Sequence, residues 1–181
     1  MSAYAVVGPE RHGVVAHAQR LALADAALQE VFVRIEATDH STVARDLTTA
    51  LEGHAAAMLH VTDHLLGETP SAAADLIETL ARTTALALCL HDLPQPEEGD
   101  ARHARRRAAY ARLARCASVV VVASDHEREL LAACLDGNGG EVDVVVLPLP
   151  VERSGASGGD VASARAPGGR RRAPGRVPVV G

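Results

Sequence analysis

The chain contains no lysine and no tryptophan, and its aromatic side chains are two tyrosines and one phenylalanine among 181 residues. Without lysine there is no Walker A phosphate loop, no lysine Schiff base and no pyridoxal-phosphate attachment. The formal net charge is −5, so the chain also lacks the basic face and the stacking platforms that nucleic-acid binding uses. We therefore expect neither lysine-based chemistry nor a nucleic-acid partner.

Cysteines and long apolar runs are also scarce. Cys89, Cys116 and Cys134 are far apart and match neither a disulfide framework nor a zinc-site spacing. The longest apolar run, 117–123, is far shorter than a bilayer span, and no charged, apolar leader precedes the first predicted strand. These absences predict a cytoplasmic protein without a transmembrane segment. Cys89 lies inside an apolar run and is predicted to be a small buried hydrophobe.

The chain is instead rich in Ala, Val and Leu, and 48% of its residues are hydrophobic. Short apolar runs predict buried strands, at 3–7, 31–35, 56–61, 85–90, 118–122 and 142–147. Helical periodicity lies between them, at 14–27, 41–51, 72–82, 101–117 and 125–135. This alternation predicts an α/β fold, a doubly wound, Rossmann-like parallel sheet of about six strands with helices on both faces.

Side chains that cap helices fix the predicted helix starts. Ser41 or Thr42 is predicted to cap the helix that ends near residue 51, and Ser71 and Asp100 are predicted to cap the next two. Ser124 and Glu127 form a capping box, so a purely structural role is sufficient for that pair.

The composition changes after residue 151. Residues 152–176 are rich in Gly, Ala, Pro and Arg without apolar periodicity, which predicts a disordered linker. Residues 177–181 have the pattern of the first strand of another sheet. We therefore expect one Rossmann-like domain at 1–151, a linker, and the stub of a missing carboxyl-terminal domain.

Polar clusters follow four of the predicted strands, at 8–13, 62–64, 91–95 and 124–127. The carboxyl ends of parallel strands lie at the same edge of a sheet, and ligands of open α/β sheets bind outside that edge. The four clusters are therefore expected to line one cleft.

His91 and Asp92 come directly after the buried run 85–90 and are the predicted catalytic pair. An imidazole at this position can hydrogen-bond a sugar hydroxyl or a developing charge, and Asp92 either orients the ring or hydrogen-bonds separately. The structural alternative is a satisfied polar group at the end of a strand.

The Gly8–Gly13 loop precedes a helix whose amide groups favour an anion such as a phosphate. A tight turn that needs glycine is the structural alternative. Its spacing is not the dinucleotide-binding fingerprint, although Glu36 stands where a ribose-binding acid would.

Two further groups of polar residues have alternative interpretations. His60, Asp63 and His64 are ligand types for zinc or manganese, but a hydrogen-bonding role of Asp63 in a loop is favoured and no metal site is assigned. A run of arginines on the predicted helix 101–117 could meet an anion or a membrane surface, but is interpreted as a solvated face: Arg102, Arg105, Arg106, Arg107, Arg112 and Arg115.

Five segments together suggest a family: GPERHG at 8–13, HVTDHLLG at 60–67, LHDLPQPEEG at 90–99, RRRAAYARLARCASVVVVASDHERELL at 105–131 and VVVLPLPV at 144–151. In this order and spacing, residues 3–151 resemble the N-terminal domain of family-4 retaining glycosyltransferases, in which two Rossmann-like domains face each other across a cleft. The resemblance implies transfer of a hexosyl group from a nucleotide diphosphosugar with retention of configuration, and no metal or other cofactor.

The resemblance also implies roles for individual residues. It assigns the Gly8–Gly13 loop to the phosphate or acceptor region, His91 to the donor sugar, and the regions of Asp63 and Ser124 to the acceptor side. The predicted substrate-binding residues are Gly8, Arg11, His12, Gly13, Asp63, His64, Gln95, Ser124 and Glu127. The acceptor, which could be a sugar, a lipid or a small molecule, and peripheral membrane contact are left open.

In this family the carboxyl-terminal domain supplies most donor contacts, and stabilising a transition state needs both walls of the cleft. We therefore expect this chain to be inactive alone and to require a partner domain or chain. Two other functions are kept as alternatives. One is a non-catalytic nucleotide- or sugar-binding module, and the other is a metal-dependent hydrolase that uses His60, Asp63, His64, His91 and Asp92.

Overall fold

The computed structural model describes residues 2–36, 39–135 and 142–148, all within the compact unit Met1–Pro150. The predicted linker at 152–176 and the predicted stub at 177–181 lie outside the described residues.

Six strands of the described residues form one sheet, and every neighbouring pair is parallel. The sheet order is β2-β1-β3-β4-β5-β6. The strands are β1 (Ser2–Val7), β2 (Phe32–Ile35), β3 (Ala56–Val61), β4 (Ala85–Leu90), β5 (Val119–Val122) and β6 (Val144–Val146). The predicted parallel α/β fold is confirmed, because Val-, Ala- and Leu-rich runs of this length form strands that are covered on both faces.

Seven α-helices and one 3₁₀ helix are present among the described residues. The helices are α1 (Gly13–Ala24), α2 (Ala26–Glu30), α3 (His40–Leu51), α4 (Asp63–Leu66), α5 (Pro70–Ala81), the 3₁₀ helix (Pro96–Glu98), α6 (Asp100–Cys116) and α7 (Asp125–Leu135). The predicted single helix at 14–27 is wrong, because the Asp25 side chain accepts the N–H groups of Ala27 and Leu28 and thereby starts a new helix. Neither α4 nor the 3₁₀ helix was predicted.

The two faces of the sheet carry different helices. Alternate residues of a strand point to opposite faces. Tyr4 and Val6 of β1 pack with α1 and α2. The other face of the sheet packs with α3 to α7, through Val7 of β1, Val61 of β3, Leu90 of β4 and Val122 of β5. The helices that follow β1 and β3 therefore lie on opposite faces, although these two strands are neighbours. The carboxyl ends of β1 and β3 are therefore the topological switch point, where open α/β sheets form a ligand-binding crevice.

Three of the predicted helix caps are wrong, because each helix begins at or before the residue predicted to cap it. Asp39 caps α3 by accepting the N–H of Thr42 at 2.9 Å, instead of Ser41 or Thr42 acting as the cap. Thr69, rather than Ser71, caps α5 and accepts the N–H of Ala72 at 3.1 Å. Asp100 lies in the first turn of α6, after the cap residue Gly99.

Gly67 joins α4 to α5 at a close approach of two backbone segments. A Cβ atom at this position would lie 2.5 Å from the amide nitrogen of Ala73 and 2.9 Å from the carbonyl carbon of Ala72. Because backbone atoms cannot rotate away as a side chain can, only glycine fits here. This contact sets where α5 begins after the end of β3.

We expect Gly67→Ala to lower the free energy of unfolding by about 1–3 kcal/mol, the usual cost of overpacking. Gly13→Ala is the matched control, because no described atom lies within 4 Å of a Cβ built there and Gly13 is helical. Urea unfolding of both variants checks this. Equal stabilities of the two variants would contradict the close approach at Gly67.

Candidate functional site

The four polar clusters lie at one edge of the sheet. They follow β1, β3, β4 and β5, which are four consecutive strands in the sheet order and all run in the same direction. Neighbouring strands are about 4.8 Å apart, so the clusters form a continuous row. The crevice between β1 and β3 lies within this row.

A chain of buried hydrogen bonds ends at His91. The Tyr4 hydroxyl lies 2.7 Å from His60 Nε2, and His60 Nδ1 lies 2.8 Å from His91 Nε2. The two imidazole rings are tilted by only 13°, with centroids 5.1 Å apart. With nitrogens this close, near-parallel rings must lie end to end rather than face to face, which is the geometry of an N–H···N hydrogen bond.

The direction of this chain follows from its far end. The Tyr4 hydroxyl donates to the carbonyl oxygen of Ala18 at 3.2 Å, which uses its single proton. Tyr4 must then accept from His60 Nε2–H, so His60 Nδ1 is the acceptor of a hydrogen bond from His91 Nε2–H. In neutral His91 this leaves Nδ1 as the hydrogen-bond acceptor.

Burial keeps both imidazoles neutral. It is the main cause that lowers the pKa of His60 to about 3 and that of His91 to about 4, and the neighbouring histidines add to the effect. His17 of α1 meets both rings edge-on, with centroid distances of 5.5 Å and 5.8 Å. Burial also raises the pKa of Tyr4, so its hydroxyl keeps its proton.

Asp92 hydrogen-bonds separately from the His91 ring, the second of its two predicted roles. Its carboxylate accepts from Arg106 Nη2 at 3.1 Å, and its backbone carbonyl accepts from the same nitrogen. Asp92 has a φ of +52°, in the left-handed region. The guanidinium therefore holds the backbone turn that directly follows His91.

Arg106 of α6 is the centre of a buried ionic network. Its Nε donates to Asp63 Oδ2 at 3.0 Å, and it also pairs with Glu98. Tyr110, one turn later, donates to the carbonyl of His91 at 2.8 Å. The guanidinium thus links the chain after β3, the chain after β4 and the 3₁₀ helix to α6.

The prediction that Arg106 lies on a solvated helix face is wrong, because the residue is 2% exposed. Asp63 is also not a loop residue, but a buried residue in the first turn of α4. A signal was present, because Arg106 precedes the buried Tyr110 by four residues and Leu113 by seven, which places all three on one helix face. Tyr4 and His17 carried no comparable signal.

The Gly8–Gly13 segment forms one side of the crevice. Gly8 is buried with a φ of +147°, and His12 caps α1 by accepting the N–H of Val14 through Nδ1 at 3.3 Å. The His12 ring lies 6.1 Å from that of the exposed His64, across the crevice. Arg11 is exposed.

Several predicted site residues are used in local structure. Gln95 and Glu98 form a capping box around the 3₁₀ helix. Ser124 accepts the N–H of Glu127 at 3.2 Å, as a cap residue does. The Glu127 carboxylate accepts from the amide of Ala123 and not from that of Ser124, so the predicted capping box forms only in part. Glu36 is paired with Arg34.

The residues of the metal-dependent alternative divide between two networks. Asp63, His64 and Asp92 bring ligand-type atoms within 4.8 Å of one another, but both carboxylates face the guanidinium of Arg106. The Arg106 guanidinium therefore already supplies these carboxylates with the positive charge that a metal ion would supply. His60 and His91 belong to the separate chain that ends at Tyr4.

Comparison of the chain with protein-family models, curated proteins and solved structures found no significant match. Among the described residues, none of the helices combines the length and the apolar character needed to cross a bilayer.

We expect the imidazoles of His60 and His91 to be neutral Nε2–H tautomers at pH 5.5 in long-range ¹H–¹⁵N NMR spectra. Folding lowers their pKa values from 6.5, so between pH 6.5 and about 4 the folded protein binds fewer protons than the unfolded chain. Their effect on stability is therefore absent above this window and increasingly unfavourable as pH falls through it.

Tyr4→Phe tests the direction of the hydrogen bonds from His91 through His60 to Tyr4. It removes the acceptor of His60 Nε2–H, so we expect the Nδ1–H tautomer of His60 to become populated. A His60 that titrates near 6.5 in the wild type, or whose tautomer is unchanged in Tyr4→Phe, would show that the chain runs otherwise.

We expect Arg106→Met to lower the free energy of unfolding by about 3–5 kcal/mol, because it leaves the buried carboxylate of Asp63 without its partner. Glu98 would keep its pair with Arg102. The exposed Arg105 next to it provides the control, and Arg105→Met should change stability by no more than about 0.5 kcal/mol. Chemical unfolding at pH 7 measures both. Similar values would mean that the network contributes little to stability.

Proposed function

We propose that this chain is the N-terminal, acceptor-side domain of a retaining glycosyltransferase with two facing Rossmann-like domains. It forms one wall of a cleft in which a hexosyl group passes from a nucleotide diphosphosugar to an acceptor. The observation that carries the proposal is the row of polar clusters on β1, β3, β4 and β5, at the edge where parallel sheets bind ligands.

His91 is suited to hold a sugar rather than to protonate it. Its imidazole is neutral, and its Nε2–H is used on His60, so Nδ1 can accept a hydrogen bond from a sugar hydroxyl. A neutral acceptor fixes the orientation of a polyol without adding charge. On the other side, Tyr110 donates to the carbonyl of His91 and Arg106 to that of Asp92, so the ring is positioned before a ligand arrives.

Thr62 supplies a second polar group at the crevice. It follows β3 and is the cap residue of α4, but its hydroxyl makes no capping bond. Thr62 is 3% exposed, and its Oγ1 has no hydrogen-bond partner among the described residues. A buried hydroxyl left unpaired costs about 1–3 kcal/mol, a cost that a ligand hydroxyl or phosphate oxygen in the crevice would remove.

The Gly8–Gly13 segment follows β1, the strand next to β3 at the switch point. Its backbone leads into the N-terminus of α1, where amide groups and the helix dipole favour an anionic or strongly polar group. The second domain is assigned most contacts to the nucleotide diphosphate, so the chain alone should bind its ligands weakly and not turn them over.

Thr62→Val provides a sharp test, because the substitution removes the hydroxyl and keeps the shape. We expect the ligand-free variant to be as stable as the wild type or more stable, since no hydrogen bond is lost. We expect its affinity for nucleotide diphosphosugars or sugar acceptors, measured by saturation-transfer NMR, to fall by about 2–10-fold. Thr48→Val, at an exposed position on α3, is the control.

His91→Ala should lose affinity in the same assay. Failure of every nucleotide diphosphosugar and acceptor to bind the wild type would contradict the proposal. Binding that is unchanged in both Thr62→Val and His91→Ala would also contradict it. Binding of sugars or nucleotides at this edge without turnover, even when the complementary domain is supplied, would favour the binding-module alternative.

A further inference from the structure

Three side chains of metal-ligand type meet beneath α1, on the face of the sheet opposite the Arg106 network. His17 comes from α1, His60 from β3 and Cys89 from β4. One ligand atom from each lies within 4.8 Å of those from the other two. His60 and Cys89 are buried, and His17 is half-buried.

The sheet itself holds two of these residues in place. His60 and Cys89 are register partners on the adjacent parallel strands β3 and β4, so their side chains leave the same face side by side. The helix α1 crosses this face and brings the ring of His17 to within 5.5 Å of the ring of His60, centroid to centroid. The cluster therefore rests on regular structure and not on loops.

The hydrogen bonds of His60 match those of a metal ligand. Its Nε2–H donates to Tyr4, which in turn donates to the carbonyl of Ala18. Metal-bound histidines commonly donate their second ring N–H in this way, which fixes the tautomer and directs the other nitrogen. The other nitrogen, Nδ1, carries a lone pair and accepts from His91 Nε2–H.

We propose that His17, His60 and Cys89 form a zinc site. Two imidazole nitrogens and one thiolate are a ligand set that Zn²⁺ prefers, and they leave one position of a tetrahedron to complete. A solvent molecule completes the tetrahedron, and zinc at His60 Nδ1 replaces the hydrogen bond that this atom accepts from His91 Nε2–H. When the Zn–S bond forms, the proton of the Cys89 thiol goes to solvent.

The other cluster of ligand-type residues is a less suitable zinc site. Asp63 and Asp92 offer carboxylates, but both are bound to Arg106. The cluster of His17, His60 and Cys89 instead offers two imidazoles and a thiol, which are ligand types that Zn²⁺ prefers. Arg20 of α1 acts on His17 and lowers the pKa of its imidazole, after burial as the main cause. Bound zinc would link α1 to β3 and β4, and would stabilise the folded chain by mass action.

Co²⁺, the spectroscopic substitute for Zn²⁺, tests the proposal on the full reduced chain without a histidine tag. One equivalent of Co²⁺ should produce a thiolate-to-cobalt charge-transfer band in the near ultraviolet and intense visible bands of a tetrahedral site, and Zn²⁺ should abolish both. Elemental analysis of the dialysed protein should give one zinc per chain, and zinc should raise the melting temperature.

The variants Cys89→Ser and His17→Gln should each weaken Co²⁺ binding by more than about tenfold, because a directly bound ligand matters at least as much as its supporting contacts. The matched controls Cys116→Ser and His64→Gln should bind as the wild type does. Circular dichroism without metal shows whether each variant folds, and the half-buried His17 makes His17→Gln the variant whose folding is least affected.

Absence of a thiolate band at one equivalent of Co²⁺ would overturn the proposal. Binding that survives in both Cys89→Ser and His17→Gln would also overturn it, as would binding that is lost in His64→Gln. None of these results depends on sugar binding, so the proposal stands or fails independently of the proposed function.

Discussion

The buried guanidinium of Arg106 is the interaction on which the polar edge of this domain depends. It pairs with Asp63 after β3, with both the carboxylate and the carbonyl of Asp92 after β4, and with Glu98 of the 3₁₀ helix. A buried ion pair of this kind is weak support for overall stability, because desolvation opposes the Coulomb attraction. Its effect here is to hold several chain segments in one arrangement at the carboxyl edge of the sheet.

His91 lies between this ionic network and a neutral one. Its backbone is held through Tyr110 and the Asp92 turn, and its ring is held through His60 and Tyr4. The two networks lie on opposite faces of the sheet, because Asp63 begins a helix on one face while His60 points to the other. The ring therefore has a fixed position, a fixed tautomer and no charge, which suits recognition of a sugar hydroxyl better than proton transfer.

The sequence was sufficient for the strands and for the edge at which the polar clusters lie. Short Val-, Ala- and Leu-rich runs seldom form anything other than buried strands, so the predicted strands 56–61 and 85–90 have the observed bounds. Helix starts were less predictable, because Asp39 and Thr69 compete with nearby Ser and Thr residues that are equally good caps. The pairing of His60 with both Tyr4 and His91 depends on strand register and side-chain direction, and the burial of Arg106 depends on how α6 packs. Neither the His60 pairing nor the burial of Arg106 can be inferred from sequence spacing alone.

A crystal structure of the chain with a nucleotide diphosphosugar and a sugar acceptor would test the central claim most directly. We expect ligand density in the crevice between β1 and β3, with a sugar hydroxyl at hydrogen-bond distance from His91 Nδ1 and a polar ligand atom on Thr62 Oγ1. Density confined to the opposite edge of the sheet, or to the outer surface of the helices, would contradict it.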